Sequence, residues 1–304
     1  MDFTPEESQQ AVAGLAAEVL TAADPWKELA KAGLLSLGVL DTTTLLTEIG
    51  RRAPELAPNA LALVTGTFPL DRWGSSDLIQ AFVPGVESGE IILTAAIREA
   101  PLAADAALIL VPVDDGVALV NPEDATLAPI PTSSGYPSFL VQLNEPPTRM
   151  LGDLGCRADL EELAVAAACA LLDGAVAGAL TLTRDHVATR RQFGRPLAEF
   201  QAVSQQIADV YIASRTMHLA TQSACWRVAT DRDPGADVRV AGYWCAEQAV
   251  KAVRHCHHLH GGLGMDVTYP LHRFSALVSD LTRYLGGAEY QLERNVRGAP
   301  CSLT

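Results

Sequence analysis

Hydrophobic residues recur with the period of an α-helix over most of the chain. Between residues 199 and 231 the spacings are three, four, three and seven residues, which define one apolar helix face made of Phe200, Val203, Ile207, Val210 and Met217. Similar patterns predict helices over three further segments, 159–191, 235–260 and 269–284. Because the connections between these helices are short, we expect an antiparallel four-helix bundle over residues 151–304.

A different pattern fills the middle of the chain. Residues 1–86 still contain amphipathic helical stretches such as WKELAKAGLL and predict an N-terminal helical domain. Residues 87–150 instead contain short apolar runs of β-favoured residues bounded by Pro, Gly, Asp and Asn. Asp-Asp-Gly at 114–116 predicts a hairpin turn. The sequence therefore predicts a mainly α protein with a small β domain, an antiparallel sheet or barrel at 87–150.

The composition of the chain argues against several classes of binding partner. The formal charge of −14 over 304 residues argues against a nucleic-acid surface and against docking on anionic lipid. The six cysteines have no CxxC pairing, which is typical of buried thiols in a reducing cytosol. The N-terminus, MDFTPEESQQ, is acidic and unlike a signal peptide, and no apolar run of about 20 residues suggests a membrane helix. We expect a cytoplasmic protein with no membrane partner.

Three segments carry candidate chemistry: RRQFGRPLAEFQ at 190–201, HLHGGLGMDVTYP at 258–270 and RYLGGAEYQLERN at 283–295. Taken singly, the first is also typical of a solvated arginine pair at a helix end, and GGLG of a helix C-cap. In this order and spacing on a C-terminal bundle, the three together resemble the acyl-CoA dehydrogenase family. The stretch from Arg190 to Glu289 fits the family pattern without a gap, and the resemblance weakens in the middle domain.

The resemblance implies an enzyme that binds FAD at a subunit interface and oxidises the α,β carbons of an acyl-CoA thioester. The R-x-x-F motif, here Arg190 and Phe193, would reach the pyrophosphate and adenine of the neighbouring subunit's FAD. A guanidinium suits this role because its fork donates two parallel hydrogen bonds to phosphate oxygens. Glycines allow backbone to approach a phosphate closely. The implied cofactor-binding residues are Arg190, Gln192, Phe193, Phe200, Gln201, His258, Gly261 and Gly262.

The chain departs from the family where the catalytic base is expected. The family glutamate before the last helix falls on Leu285, whose alkyl side chain accepts no proton, so that Leu285 and Gly286 are expected to line a substrate pocket. A second base position used by some members falls on Ala164, and the neighbouring family arginine falls on Val165. The nearby acids Glu161 and Glu162 are expected to be exposed in the first turn of their helix. No catalytic residue is therefore predicted.

The middle domain also lacks the family segments that hold the isoalloxazine ring. LTAAIREAPLAADAAL keeps Glu99 but has no glycine-serine turn, and no tryptophan lies between Trp73 and Trp226. The resemblance therefore implies a subunit that pairs with a homologous full-length subunit, for example as an α2β2 assembly. That partner would hold the flavin ring and the glutamate. Such an enzyme resembles the actinobacterial steroid side-chain dehydrogenases, whose smaller subunit is non-catalytic.

Three alternatives remain open at this point. One is a self-sufficient homomeric enzyme with a displaced base such as Asp280 or Glu289. Another is a non-enzymatic scaffold or acyl-CoA-binding protein on the same fold. The third is a metal site in the RHCHHLH stretch, where His255 and His258 share a helix face. Zinc needs a third or fourth ligand, and none stands at a suitable spacing, so no metal site is predicted.

Overall fold

The computed structural model describes residues 5–230 and 232–298. The chain begins with five helices: α1 (Glu7–Val19), α2 (Pro25–Lys31), α3 (Val39–Arg52), α4 (Ala57–Trp73) and α5 (Ser76–Glu87). Short polar side chains cap two of them, because the Asp24 carboxylate accepts from the N–H of Lys27 and the Ser75 hydroxyl from that of Leu78. Helix α4 is apolar nearly all the way round and is almost completely buried, as expected of a core helix.

The β part contains seven strands in two sheets: β1 (Leu93–Ala95), β2 (Ala100–Pro101), β3 (Leu108–Val113), β4 (Gly116–Val120), β5 (Ala125–Ile130), β6 (Ser138–Leu143) and β7 (Met150–Gly152). The strand orders are β1-β3-β4-β7 and β2-β6-β5. The predicted hairpin is confirmed, since Val113 pairs with Gly116 across the Asp-Asp turn. The prediction of a wholly antiparallel sheet is wrong at β1, which runs parallel to β3.

The C-terminal part is a helix bundle. Its helices are α6 (Leu154–Thr189), α7 (Gln201–Val228), α8 (Gly235–His260) and α9 (Leu271–Tyr284), followed by α10 (Gly287–Gly298). Two short strands, β8 (Arg191–Gln192) and β9 (Arg195–Pro196), lie between α6 and α7. The four predicted helices are present, and the predicted class, mainly α with a small β part, is confirmed.

Helix α6 forms the centre of the core. By length and composition it could cross a membrane, contrary to the expectation from the sequence. However, 89% of its most apolar 18-residue stretch is buried inside the protein. Backbone meets backbone where it crosses α3: an added Cβ would lie 2.2 Å from the Leu171 carbonyl oxygen at Gly50 and 2.0 Å from the Thr47 carbonyl oxygen at Gly174. The surrounding helices therefore cover the apolar surface of α6.

Changes of secondary structure fall near the predicted domain boundaries at 86 and 150. Helix gives way to strand between Glu87 and Leu93, and strand to helix between Gly152 and Leu154. One hydrophobic core nevertheless contains residues from α1, α3, α4, β1, β3, β4 and all the bundle helices up to α9. The division into three domains therefore stays a prediction.

Candidate cofactor-binding site

A hairpin follows the end of α6. Arg190 leaves the helix in extended conformation, and β8 pairs with β9 through Gln192 and Arg195. The two turn residues, Phe193 and Gly194, have φ angles of 50° and 83°, as in a type I′ turn. Glycine adopts such angles freely, whereas a bulky residue does so only under strain. The Phe193 side chain is also 93% exposed, so that this apolar ring sits strained at the tip of a hairpin in solvent.

Stacked side chains hold the hairpin over the start of α7. The guanidinium of Arg195 lies 4.1 Å from the ring centroid of Phe200, at a distance typical of a cation–π contact. The rings of Phe193 and Phe200 meet edge to face with their centroids 6.2 Å apart. Gln192 and Gln201 are exposed on either side. The aromatic surface predicted for the adenine is therefore present, and Phe193 is its exposed part.

A surface pocket of about 670 Å³ lies between the C-terminal ends of α6 and α8. It brings together four of the predicted cofactor residues, Arg190, His258, Gly261 and Gly262. A Cβ added to either glycine would meet nothing within 4 Å, and Gly261 has a φ of 58°. The backbone at these glycines is therefore open to a close approach from outside. Gln192, Phe193, Phe200 and Gln201 are outside the pocket lining.

The charge of this pocket contrasts with the rest of the chain. Its lining contains one arginine, three histidines and no carboxylate, in a protein of net charge −14. Helix C-termini favour cations, because their last carbonyl groups point outward. An anion bound at the ends of α6 and α8 would thus depend on the side chains, above all on the always-charged Arg190. Because its side chains include Arg190 and no carboxylate, the pocket suits a phosphate even though the helix ends do not favour one.

One histidine of the pocket, His186, was missed by the sequence analysis, whereas His260 belongs to the RHCHHLH stretch that it considered. The rings of His186 and His260 stack with their centroids 4.4 Å apart and an angle of 20° between their planes. Burial lowers the pKa of both imidazoles, and the nearby charge of Arg190 lowers that of His186 further. The spacing was a usable signal, since a residue four positions before Arg190 lies on the same helix face.

The predicted base position lies in the protein core. The Leu285 side chain is 2% exposed, and its carbonyl oxygen accepts a hydrogen bond of 2.5 Å from Gln291 Nε2. Gly286 has a φ of 84°, and a Cβ there would lie 2.6 Å from the guanidinium carbon of Arg98. That guanidinium stacks 3.7 Å from the ring centroid of Tyr290. Any pocket wall formed by Leu285 therefore faces the protein interior.

The second base position is equally apolar. Ala164 is fully buried and Val165 is 5% exposed. The expectation for the nearby acids is wrong: α6 begins at Leu154, so Glu161 and Glu162 lie about two turns into the helix, and both are half-buried. Glu161 forms ion pairs with two arginines of the bundle, at N–O distances of 3.2 and 3.3 Å. Burial, followed by the charge of a neighbouring aspartate, raises the pKa of Glu162 to about 7.

Buried carboxylates connect the β part to α9. Asp280 is fully buried and accepts from the backbone N–H groups of Ser133 and Ser134 at 2.7 and 2.9 Å. Arg283 lies 3.2 Å from Asp280 and donates to both oxygens of the buried Glu99 at 3.0 Å. The hydrogen-bonding capacity of these carboxylates is used inside the protein. They hold the fold together and offer no free proton acceptor.

The remaining candidates are placed as follows. Glu289, the other alternative base, is exposed on α10. Among the described residues, no group of three or more His, Cys, Asp or Glu side chains is placed to hold a metal ion. The five cysteines in the described ranges are free and buried, and Cys301 lies outside them. Of the histidines of α8, His258 and His260 line the pocket, and His257 Nε2 lies 2.9 Å from the Ser275 hydroxyl oxygen.

Comparison with known proteins agrees with this fold. The family model described as "Acyl-CoA dehydrogenase, C-terminal domain" matches residues 155–299. Acyl-CoA dehydrogenase FadE28 of Mycobacterium tuberculosis is 38% identical over 100% of both chains. The chain belongs to the acyl-CoA dehydrogenase family, a family of oxidoreductases, and the resemblance seen in the sequence is confirmed.

Two solved structures of complexes are also similar. A chain of the ChsE4-ChsE5 complex from Mycobacterium tuberculosis superposes with a TM-score of 0.90 at 26% identity, covering 99% of this chain and 100% of that one. A chain of the Tcur3481-Tcur3483 steroid ACAD, in a G363A variant, gives a TM-score of 0.86 at 27% identity, with 96% and 97% covered. Both neighbours were thus solved as complexes of two differently named chains.

Proposed function

We propose that this chain is the non-catalytic subunit of a hetero-oligomeric, FAD-dependent acyl-CoA dehydrogenase and that it supplies the trans half of the partner's FAD site. The observation that carries the proposal is the conformation of Phe193. Its backbone is strained by a positive φ, and its side chain is 93% exposed beside the pocket of Arg190. A positive φ costs a bulky residue about 1–2 kcal/mol, and burying a phenyl ring is worth about 1.5–3 kcal/mol. Such a conformation is expected where a partner or ligand covers the ring.

The pocket fits the phosphates of a dinucleotide. Arg190 would donate to the pyrophosphate, the open backbone at Gly261 and Gly262 would let it approach, and Phe193 with Phe200 would face the adenine. When bound, FAD would supply the acceptor for the hydride that leaves the β-carbon of the acyl group. The residues of this chain bind and orient the cofactor, and the strained turn fixes the ring that stacks on it.

The base would come from the partner. At the two positions where the family places a base, this chain has the buried side chains Leu285 and Ala164, and Asp280 is fully hydrogen-bonded. A homologous full-length subunit would therefore hold the isoalloxazine ring and the glutamate, for example in an α2β2 assembly. Leu285 and Gly286 would then serve only as apolar packing near a substrate pocket, in a cytoplasmic enzyme.

The substrate class is proposed as an acyl-CoA thioester with a steroid side chain. Support comes from the similarity to the Tcur3481-Tcur3483 complex, which is named a steroid ACAD. Turnover by the co-purified complex, compared between a steroid side-chain thioester and a straight-chain acyl-CoA, tests this point.

The decisive experiment compares the chain alone with the chain co-expressed with its homologous partner. We expect little FAD in the isolated chain and about one FAD per heterodimer in the complex, measured by flavin absorbance of the denatured supernatant. Arg190→Ala should weaken FAD retention during dialysis, because charge-assisted hydrogen bonds to phosphate are worth about 1.5–3 kcal/mol. Arg184→Ala is the matched control, since Arg184 pairs with Asp185 on the surface of α6.

Three outcomes would contradict the proposal. Stoichiometric flavin in the isolated chain, with reduction of an electron acceptor by acyl-CoA, would indicate a homomeric enzyme with a displaced base. If the isolated chain binds the thioester without flavin, and the co-expressed complex also lacks flavin, the chain is a binding protein or scaffold. Full flavin retention by the Arg190→Ala complex would show that the phosphates lie elsewhere.

A further inference from the structure

His186 offers unused hydrogen-bonding groups to the phosphate pocket. It lies one helical turn before Arg190 on α6, and its half-buried ring lines the same pocket. In the part of the chain that the structure describes, neither ring nitrogen of His186 forms a hydrogen bond. The His186 nitrogens are not among the buried polar atoms without a partner, so they are accessible from the pocket. They can therefore donate to a ligand that enters the pocket.

The orientation of His186 is fixed by the ring on which it stacks. His260 Nδ1 lies 2.8 Å from the Cys256 carbonyl oxygen, which accepts only, so Nδ1 carries the hydrogen. In the neutral ring, His260 Nε2 then accepts from the Tyr269 hydroxyl at 3.0 Å. Both polar atoms of the buried His260 are satisfied, and its ring forms a fixed, uncharged platform. His186 lies on this platform at a centroid distance of 4.4 Å.

We infer that His186 is a further phosphate ligand, donating a ring N–H to the same dinucleotide phosphates that Arg190 binds. The inference rests on the proposed function, because it takes the pocket to be the cofactor site, and it adds a residue that the family motif does not include. The lining contains no carboxylate that would compete for this N–H. A phosphate oxygen is thus the natural acceptor at this position.

The protonation of His186 makes binding depend on pH. The ionisable groups that face the stacked pair are Arg190 on α6, His257 on α8 and Tyr269 before α9, with Asp185 acting on Tyr269. In the empty pocket, burial and then Arg190 keep the pKa of His186 below its usual value. A bound phosphate favours the charged ring and raises that pKa, so binding takes up a proton. Affinity should rise as the pH falls through the bound-state pKa and level off below the empty-state pKa.

ADP is the probe, because it carries the adenine and the diphosphate without the flavin. We expect the ring nitrogens of His186 in the full chain to shift on titration with millimolar ADP in a long-range nitrogen–proton NMR spectrum, and the pKa of His186 to rise. His186→Phe keeps a ring that can stack and removes the N–H. It should weaken ADP binding about tenfold, or about 1.4 kcal/mol, and reduce the pH dependence relative to wild type. His255→Phe is the matched control, since His255 lies on α8 outside the pocket lining.

The outcomes separate this inference from the proposed function. If Arg190→Ala loses ADP binding while His186→Phe binds ADP with wild-type affinity and pH dependence, the inference is overturned and the proposed function stands. If the His186 signals do not respond to ADP, the inference is overturned as well. If FAD content and release in the co-expressed complex are unchanged by Arg190→Ala, the proposed function itself is wrong. Faster FAD release from the His186→Phe complex at low pH, with the His255→Phe complex unaffected, supports the inference in the assembled enzyme.

Discussion

The two halves of the expected active site have opposite physical character in this chain. Around Arg190 and Phe193, polar and aromatic groups are exposed, strained or without a partner among the described residues. Around Leu285, the side chains are buried and the carboxylate of Asp280 is hydrogen-bonded, although the buried Tyr284 hydroxyl has no hydrogen-bond partner among the described residues. A region shaped by folding alone buries its apolar groups and satisfies its polar ones. The first region therefore has the features of a binding surface, and the second has those of a protein core.

Asp280 provides the largest expected effect. Asp280→Ala removes a buried carboxylate and leaves the N–H groups of Ser133 and Ser134 without their acceptor, and Arg283 keeps only Glu99 as its ion-pair partner. Breaking a buried pair in this way costs about 3–5 kcal/mol, to be measured by urea unfolding. The exposed Glu289→Ala should change the free energy of unfolding by less than about 0.5 kcal/mol. Equal, small losses in both variants would mean that Asp280 has no structural role and would reopen its candidacy as a base.

Restoring a carboxylate at the family's base position should fail. Leu285→Glu places a carboxylate in the core, where burial penalises its charge, and is expected to lower the free energy of unfolding at neutral pH by about 3 kcal/mol. The volume-conserving Leu285→Met should cost less than about 1.5 kcal/mol. We expect no acyl-CoA dehydrogenase activity from the isolated Leu285→Glu chain. Activity in that variant would show that this region is a dormant active site and would remove the contrast between the two halves.

Much of the fold was predictable because it depends on apolar periodicity. The four long helices were found from their spacing, although α6 is buried on nearly all sides and so has little one-sided apolar pattern. Strand β5, ATLAPI, was missed because its residues are only partly buried and include a proline. The parallel pairing of β1 with β3 was missed because pairing direction depends on contacts distant in sequence.

The site was predictable where the sequence matches the motifs of a family. Arg190, Gly261 and Gly262 were expected because they fall on motifs of the family that the sequence resembles, and the structure places them in one pocket. His186 was missed because its role depends on the ring of His260, which lies on another helix. The local sequence did not indicate that Glu161 and Glu162 are half-buried either, because α6 begins five residues earlier than predicted.

Phe193 tests the exposed half directly. Phe193→Asn keeps a residue that tolerates positive φ and removes the ring, so the free energy of unfolding of the isolated chain should stay the same or rise by up to about 1 kcal/mol as the strain is relieved. In the co-expressed complex, loss of stacking on the adenine should speed FAD release about tenfold, because such a stack is worth about 1–3 kcal/mol. Fluorescence recovery of released flavin measures the rate. A clear loss of stability in the isolated chain would show that the ring serves the fold.

Glu162 is the acid most able to overturn the comparison, because a pKa of about 7 suits a general base and Ala164 lies only two residues away. Two residues along a helix are about 200° around its axis, so Glu162 points away from the side of Ala164. We therefore expect Glu162→Gln to leave kcat of the complex unchanged.

The raised pKa of Glu162 should appear in stability instead. Folding favours the protonated acid, so this contribution is fully present below the unfolded-state pKa of about 4.3 and is lost as the pH rises to about 7. Relative to wild type, Glu162→Gln should therefore raise the free energy of unfolding of the isolated chain by about 1 kcal/mol more at pH 8 than at pH 4. This figure allows for solvent screening of a half-exposed group. Glu161→Gln, which removes an ion-paired acid, should show no such gain. A collapse of turnover in Glu162→Gln with unchanged flavin content would place the proton acceptor in this chain.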